Sequence, residues 1–295
     1  MKSQSLELKT VVITGASSGI GKAAALKFAE ERANVVLASR SDEILHEVAE
    51  KCEALGARTL VVATDVSNKD SVRNLFERSV ETFDSIDVWI NNAGVGAIGE
   101  FTDTPLEAHE QIIRTNLFGP LYGCYCVLPH FKERNSGIII NVNSTGAFVG
   151  NPFTAAYSAS KFGLRGFTEA LRFEMKGHKD IHICELYAGI VDSPAHSHAA
   201  NYMGKEVKPG GPLVDPIVMA ESLVKLAKKP RPAMHIGSQD RLGRFGHFVS
   251  TEMTGTIMKK VFDIYFSKAK DVPVSDGNLF RPDKDKHPPI HGGFS

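Results

Sequence analysis

Short apolar runs alternate with longer amphipathic stretches along most of the chain. The runs, residues 10–14, 34–39, 59–64, 87–90, 137–142, 181–187 and 234–236, are rich in Val and Ile. Their apolar character is continuous rather than alternating, which predicts strands covered on both faces. Between them lie helix-length segments at roughly residues 19–32, 42–56, 68–83, 105–131, 155–177 and 215–229. Repeated strand-to-helix alternation implies right-handed crossovers. The expected fold class is α/β: one doubly wound parallel sheet (Rossmann fold) of about seven strands, with helices on both faces.

Two segments break the rhythm. Residues 192–213, rich in Gly, Pro and His, form a long insertion after the sixth strand. Loops of this length are usually functional lids or disordered, and a substrate lid is the expectation here. Residues 241–295 continue past the last strand. Ile257, Met258, Val261, Phe262, Tyr265 and Phe266 give a helical stripe there, and 281–295 reads as a poorly ordered tail. The organisation is therefore one α/β domain over 1–240 and a C-terminal extension over 241–295.

Composition narrows the class. The 295 residues are 42% hydrophobic and 23% charged, ordinary values for a soluble globular protein. Basic and acidic residues balance at 34 each, so no broad attraction to nucleic acid or an anionic membrane follows. Cys52, Cys124, Cys126 and Cys184 form no Cys-x-x-Cys and complete no zinc pattern. They read as reduced, mostly buried thiols in a cytoplasmic setting. The first nine residues are polar and charged, and no apolar run approaches the roughly 18 residues of a membrane span. His196 and His198 form a His-x-His without matched carboxylates; this reads as a solvated loop, and no metal is expected.

The candidate chemistry begins at the first strand–helix junction, Thr14-Gly15-Ala16-Ser17-Ser18-Gly19-Ile20-Gly21. Glycines there permit a tight turn and close approach of backbone to a pyrophosphate. The helix that follows presents unpaired N–H groups and the positive end of its dipole. Strand 2 ends Ala38-Ser39-Arg40. A carboxylate at this tip would suit the ribose 2′-hydroxyl of NAD(H). Neutral Ser39 followed by Arg40 suits a 2′-phosphate, so NADP(H) is preferred, with NAD(H) possible. Asp65 closes strand 3, where it can meet the adenine amino group or act as a helix cap with Ser67.

The second constellation is Tyr157 and Lys161, four residues apart and so on one helix face, with Ser144 upstream. A fixed ammonium beside a phenol is expected to lower its pKa from about 10. Ser144 can hydrogen-bond the same substrate oxygen. Tyr157 then gives or takes a proton while hydride passes between a nicotinamide and the substrate carbon. Either pattern alone is weak; their order and spacing together describe a nicotinamide-dependent oxidoreductase.

These residues, with Asn91-Asn92-Ala93-Gly94, Asn116 and Tyr157-Ser158-Ala159-Ser160-Lys161, resemble the short-chain dehydrogenase/reductase family over about residues 8–237. The resemblance implies a catalytic tetrad of Asn116, Ser144, Tyr157 and Lys161. In it Asn116 holds a water in a proton relay to Lys161, and Lys161 also bonds the nicotinamide ribose. It places the cofactor against Gly15, Ser17, Ser18, Gly19, Ile20, Gly21, Ser39, Arg40, Asp65 and Val66. Asn92, Ala93 and Gly94, then Tyr157 and Lys161, then Gly189, Ile190 and Ser193 continue that lining. The sequence departs from the family after strand 6, where Ala188-Gly189 replaces Pro-Gly and Ser193 stands at a Thr position.

The expected activity is interconversion of a carbonyl and an alcohol. Phe148, Phe153, Ile190, Tyr202 and Met203 suggest an apolar pocket for a small-molecule substrate. A non-catalytic NADP(H) sensor with the same fold is one alternative. A membrane-surface lipid or steroid reductase anchored by residues 245–268 is another, although such a stripe is more often core or subunit interface. The resemblance also implies a homo-oligomer, dimer or tetramer, pairing through the helices at 105–131 and 155–177.

Overall fold

The computed structural model describes residues 4–237, 250–282 and 288–294. Its centre is a seven-stranded sheet, parallel throughout. In chain order the strands are β1 (Thr10–Thr14), β2 (Asn34–Ser39), β3 (Thr59–Ala63), β4 (Val88–Asn91), β6 (Gly137–Ser144), β7 (Ile181–Ala188) and β9 (Ala233–Ile236). They lie in the spatial order β3-β2-β1-β4-β6-β7-β9. The order reverses between β1 and β4, and the crevice beyond the carboxyl ends at such a switch point is where open α/β sheets bind ligands.

Every residue of β1, β2 and β4 is buried, as continuous apolar runs require when both faces are covered. On one face Phe28, Leu37, Leu45, Ile90 and Leu223 share a core, built by α1 (Gly19–Glu30), α2 (Asp42–Ala54) and α8 (Pro216–Lys228). On the other, Leu75, Trp89, Val127, Phe131 and Ile139 pack beneath α3 (Lys69–Phe83), α5 (Gly119–Arg134) and α6 (Ala155–Glu174).

The segment expected as one helix over 105–131 is three pieces. α4 (Leu106–Ile113) runs into a π-helical turn, Arg114–Phe118, and then into α5. The turn presents Asn116, whose Oδ1 accepts the Val95 N–H at 2.8 Å and whose Nδ2 donates to the Val95 carbonyl at 2.9 Å. A long-range pair of this kind leaves no periodic trace in sequence. A second, two-stranded parallel sheet, β5 (Ala97–Ile98) with β8 (Ala200–Asn201), was likewise not expected. With α7 (Ala195–His198), it gives part of the 192–213 insertion regular structure.

The extension begins, among described residues, with α9 (Thr251–Lys268), capped where Ser250 Oγ accepts the Met253 N–H. The 245–268 anchor reading falls partly outside the described residues, as do 241–249, 283–287 and 295 of the extension. One edge of α9 is covered: Phe262 and Phe266 meet the Phe153 ring edge-on at 5.9 and 5.5 Å. Ile257 and Val261, from the same expected stripe, remain 55% and 61% exposed. No helix among the described residues is long and apolar enough to cross a membrane.

Beyond α9 the chain returns over the insertion. Lys205 and Asp271 are paired at 2.6 Å, and Tyr202 Oη donates to Asp276 at 2.7 Å. Leu279 is fully buried in a cluster with Ala97, Ile112 and Ala200. The stretch that reads as a loose tail also makes defined contacts. The Gly292 and Phe294 N–H groups donate to the carbonyl and the carboxylate of Asp192 at 3.1 and 3.0 Å.

Candidate functional site

At the carboxyl end of β1 the chain turns through Gly15 and Gly19, both in the left-handed region at φ +70° and +50°. A Cβ on Gly15 would stand 2.9 Å from the Ala93 Cα, and one on Gly21 would collide with the Gly15 carbonyl. Only glycine lets this turn close against the strand-4 loop. Thr14 locks it there: its Oγ1 accepts the N–H groups of Asn92 and Ala93 at 3.0 and 3.1 Å. Asn92 Nδ2 returns a bond to the Thr14 carbonyl at 2.9 Å.

The turn forms one wall of a cleft of about 190 Å³ running across the sheet's switch point. Of the residues singled out for a cofactor, Gly15, Ser17, Ser18, Ile20, Gly21, Ser39, Arg40, Asp65, Val66, Asn92, Ala93, Gly94 and Ser193 line it. Gly19 stands against Ser193, 3.3 Å from its Cβ were a side chain present. Gly189 and Ile190 are not in its lining: the Gly189 N–H donates to the Ile236 carbonyl and the Ile190 carbonyl accepts from the Val214 N–H, both at 2.8 Å. Asp65 does not cap a helix: it accepts from the Ser67 N–H and hydroxyl at 2.9 and 2.7 Å, while Asn68 caps α3.

Arg40 is half-buried; burial lowers its guanidinium's pKa, and the charge of Asp65 opposes this only in part. The geometry suits a dinucleotide: a glycine cradle with no room for a Cβ, a helix N-terminus, and a cation and carboxylate at the strand tips.

Sequence reasoning missed the cleft's outer wall. Asn278, Pro282 and Pro288 of the extension line it, with Ala195 and His198 of the insertion. Arg40 Nη1 and Nη2 donate to the carbonyls of Leu279 and Asn278. Lys22 Nζ donates to Pro288 at 2.8 Å, and the Gly19 N–H to Pro289 at 3.2 Å. The acceptors are main-chain oxygens, which every residue carries, so no residue type announces them.

Past the glycine turn lies the acid/base cluster. Ser144 ends β6, and Tyr157 and Lys161 face it from the first turns of α6. The Lys161 ammonium sits 5.7 Å from the centre of the Tyr157 ring and donates to the Val142 carbonyl at 3.3 Å. The strand-4 loop runs beside the cluster, with Asn116 Oδ1 and the Tyr157 ring at ordinary contact distance, 3.4 and 4.0 Å, from where a Cβ on Gly94 and on Gly96 would stand. Asn116 also donates to Ser160 Oγ at 3.3 Å, tying the π turn to α6.

One expectation is reversed. Burial raises the Tyr157 pKa, and a hydrogen bond with Ser144 opposes it; the ammonium does not bring it down. The same burial lowers Lys161 to about 8. Tyr157 is therefore a neutral phenol at neutral pH, an acid holding its proton.

A profile for the short chain dehydrogenases matches residues 9–202. The uncharacterized oxidoreductase YxnA of Bacillus subtilis (strain 168) is 32% identical over 276 residues, 92% of this chain and 77% of that one. The 3-ketoacyl-(acyl-carrier-protein) reductase of Brucella melitensis, solved with NADH, superposes with a TM-score of 0.70 at 29% identity, covering 79% of this chain and 98% of that one. An alcohol dehydrogenase from the archaeon Thermococcus sibiricus, solved with 5-hydroxy-NADP, gives 0.68 at 27% identity, covering 78% and 96%.

Proposed function

Because this chain belongs to the short-chain dehydrogenase/reductase family, we propose that it is an NADP(H)-dependent oxidoreductase interconverting a carbonyl and an alcohol. The observation that carries the reading is the meeting of Ser144, Tyr157 and Lys161 beside the strand-4 loop, whose Gly94 lines the same cleft as Arg40; the three acid/base residues themselves are not in the lining of that cleft. A nicotinamide bound there would supply or accept the hydride.

The chain's own residues do the rest. Ser144 Oγ holds the substrate oxygen beside the phenol. Tyr157 gives that oxygen its proton in reduction and takes one in oxidation. Lys161 stabilises the phenolate that is left once the proton is given in reduction and that takes the proton in oxidation. Asn116 fixes the π turn beside α6, from which the relay water implied by the resemblance would refill the phenol. Arg40 takes the 2′-phosphate, and the 192–213 insertion covers the substrate. Four free thiols suit a reducing, cytoplasmic setting. The substrate is a small molecule with an apolar body, the reading suggested by Phe148, Phe153, Ile190, Tyr202 and Met203, of which Tyr202 shares an apolar cluster with Tyr157.

The test is a panel of ketones, aldehydes and alcohols with NADPH or NADP⁺, followed in the nicotinamide absorbance band. Turnover of a carbonyl is expected. A folded protein that binds NADPH and turns over nothing in either direction would instead be a sensor.

We also propose a homo-oligomer. Tyr125 and Phe173, on α5 and α6, are 80% and 54% exposed, and Phe118 and Phe162 lie nearby in sequence with 40% each. Exposed apolar surface of this extent on adjoining elements marks an interface. Light scattering should give a multiple of the chain's mass; the mass of one chain would sink the proposal.

A further inference from the structure

The outer wall of the nucleotide cleft is main chain, and it holds donors that a cofactor needs. Arg40 gives Nη1 and Nη2 to the carbonyls of Leu279 and Asn278, at 3.2 and 2.5 Å. The Gly19 N–H, first of α1 and so at the helix end suited to a pyrophosphate, goes to the Pro289 carbonyl at 3.2 Å. Lys22, buried in the same turn of helix, gives its ammonium to the Pro288 carbonyl at 2.8 Å. Carbonyl oxygens thus hold the very groups that phosphate oxygens require as partners. Space is short as well. With this wall seated the cleft measures about 190 Å³. Sites for drug-sized ligands run to roughly 300–1,000 Å³, and a dinucleotide is a larger molecule than most of those.

The wall is seated by contacts of its own. Asn201 and Ser275 exchange backbone bonds at 2.8 and 3.0 Å. Gly277 follows in the left-handed region at φ +51°, where a Cβ would collide with the His198 carbonyl. Further on, Ile290 packs against the main core and His291 Nε2 lies 3.1 Å from Asp215. The Gly292 and Phe294 N–H groups bond the buried Asp192, and a Cβ on Gly292 would stand 2.6 Å from the Ser193 carbonyl. Residues 288–294 are therefore held by a few hydrogen bonds and one partly buried isoleucine. A tie of that size can open locally while the sheet stays folded.

We propose that residues 288–294 are a strap that competes with the dinucleotide for the cleft, so that the cofactor binds by displacing it. This rests on the cofactor assignment made above. A strap seated in about 90% of molecules lowers the apparent cofactor affinity about tenfold. Arg40 adds discrimination to the exchange. A 2′-phosphate replaces the neutral carbonyls of Asn278 and Leu279 with a charged, stronger acceptor, and NADH offers none.

Deleting residues 288–295 removes the strap and leaves Leu279 and the sheet in place. By fluorescence titration the shortened protein should bind NADPH about tenfold more tightly than the full chain. NADH should gain by a similar factor, because Gly19 serves the pyrophosphate that both cofactors share. Equal or weaker binding overturns the proposal, since the stretch would then be a wall the cofactor needs. Should the shortened chain not fold, Gly292→Val unseats the strap by collision with the Ser193 carbonyl, and the same gain is expected. In the full chain, saturating NADPH should speed hydrogen exchange at the Gly292 and Phe294 amides, which their bonds to Asp192 protect. Slower or unchanged exchange there overturns displacement. Tighter NADPH binding by the shortened chain with no carbonyl turned over would leave the strap standing and remove the enzyme. Turnover with no gain in binding would do the reverse, and no binding of NADPH by either form would remove both.

Discussion

Tyr157→Phe is expected to lower kcat by about 10²- to 10⁴-fold, the usual contribution of a general acid or base. Cofactor affinity should stay within a few-fold. The phenol oxygen is what the variant loses. The ring packs in the cluster of Ala97, Ile112, Ala156 and Leu279, against which Phe fits as well. Burial holds the phenol protonated at neutral pH, so the wild type is primed to donate in the direction of carbonyl reduction. Its partner Lys161 loses charge near pH 8, so the reductive rate should fall above that pH. Steady-state rates on a confirmed substrate, with NADPH binding measured by fluorescence on the same samples, decide the matter. Near-native turnover by Tyr157→Phe means that another group moves the proton.

Arg40→Ala is expected to weaken NADPH roughly tenfold or more, since a hydrogen bond to a charged group is worth about 1.5–3 kcal/mol. NADH carries no 2′-phosphate and should change less, only by what unseating the C-terminal wall does to both cofactors. Ser39→Asp should turn the preference towards NADH, adding repulsion of the phosphate to a new contact with the ribose hydroxyl. The comparison is kcat/KM for both cofactors on wild type and variant. A wild type that favours NADH, or a variant that loses both cofactors equally, refutes the assignment to Arg40.

The fold was legible because parallel strands buried on both faces leave continuous apolar runs, and these survive in residues 10–14 and 34–39 with their boundaries intact. The glycine cradle was legible for a related reason. A backbone with no room for a Cβ writes glycine into the sequence, as at Gly15 and Gly21. Features held by long-range bonds were not legible. The Asn116 pairing with Val95 is one such feature, and the outer wall of the cleft, bonded through the carbonyls of Asn278, Leu279, Pro288 and Pro289, is another. The Tyr157 shift was misjudged because spacing puts Lys161 on the right helix face but says nothing of how deeply both groups are buried.

The bonds from Arg40 to Leu279 and Asn278 bear on how this enzyme could be re-engineered. Cofactor-switching designs treat the tip of the second strand as a detachable module, in which one or two side chains are exchanged and the rest of the protein is indifferent. Here that module shares its guanidinium with the end of the chain. A library built at Ser39 and Arg40 alone would alter nucleotide choice and the seating of the C-terminal wall in the same step. Variants selected from it would carry both changes, inseparable by sequence. Libraries that vary residues 278 and 279 together with 39 and 40 would let the two be optimised independently.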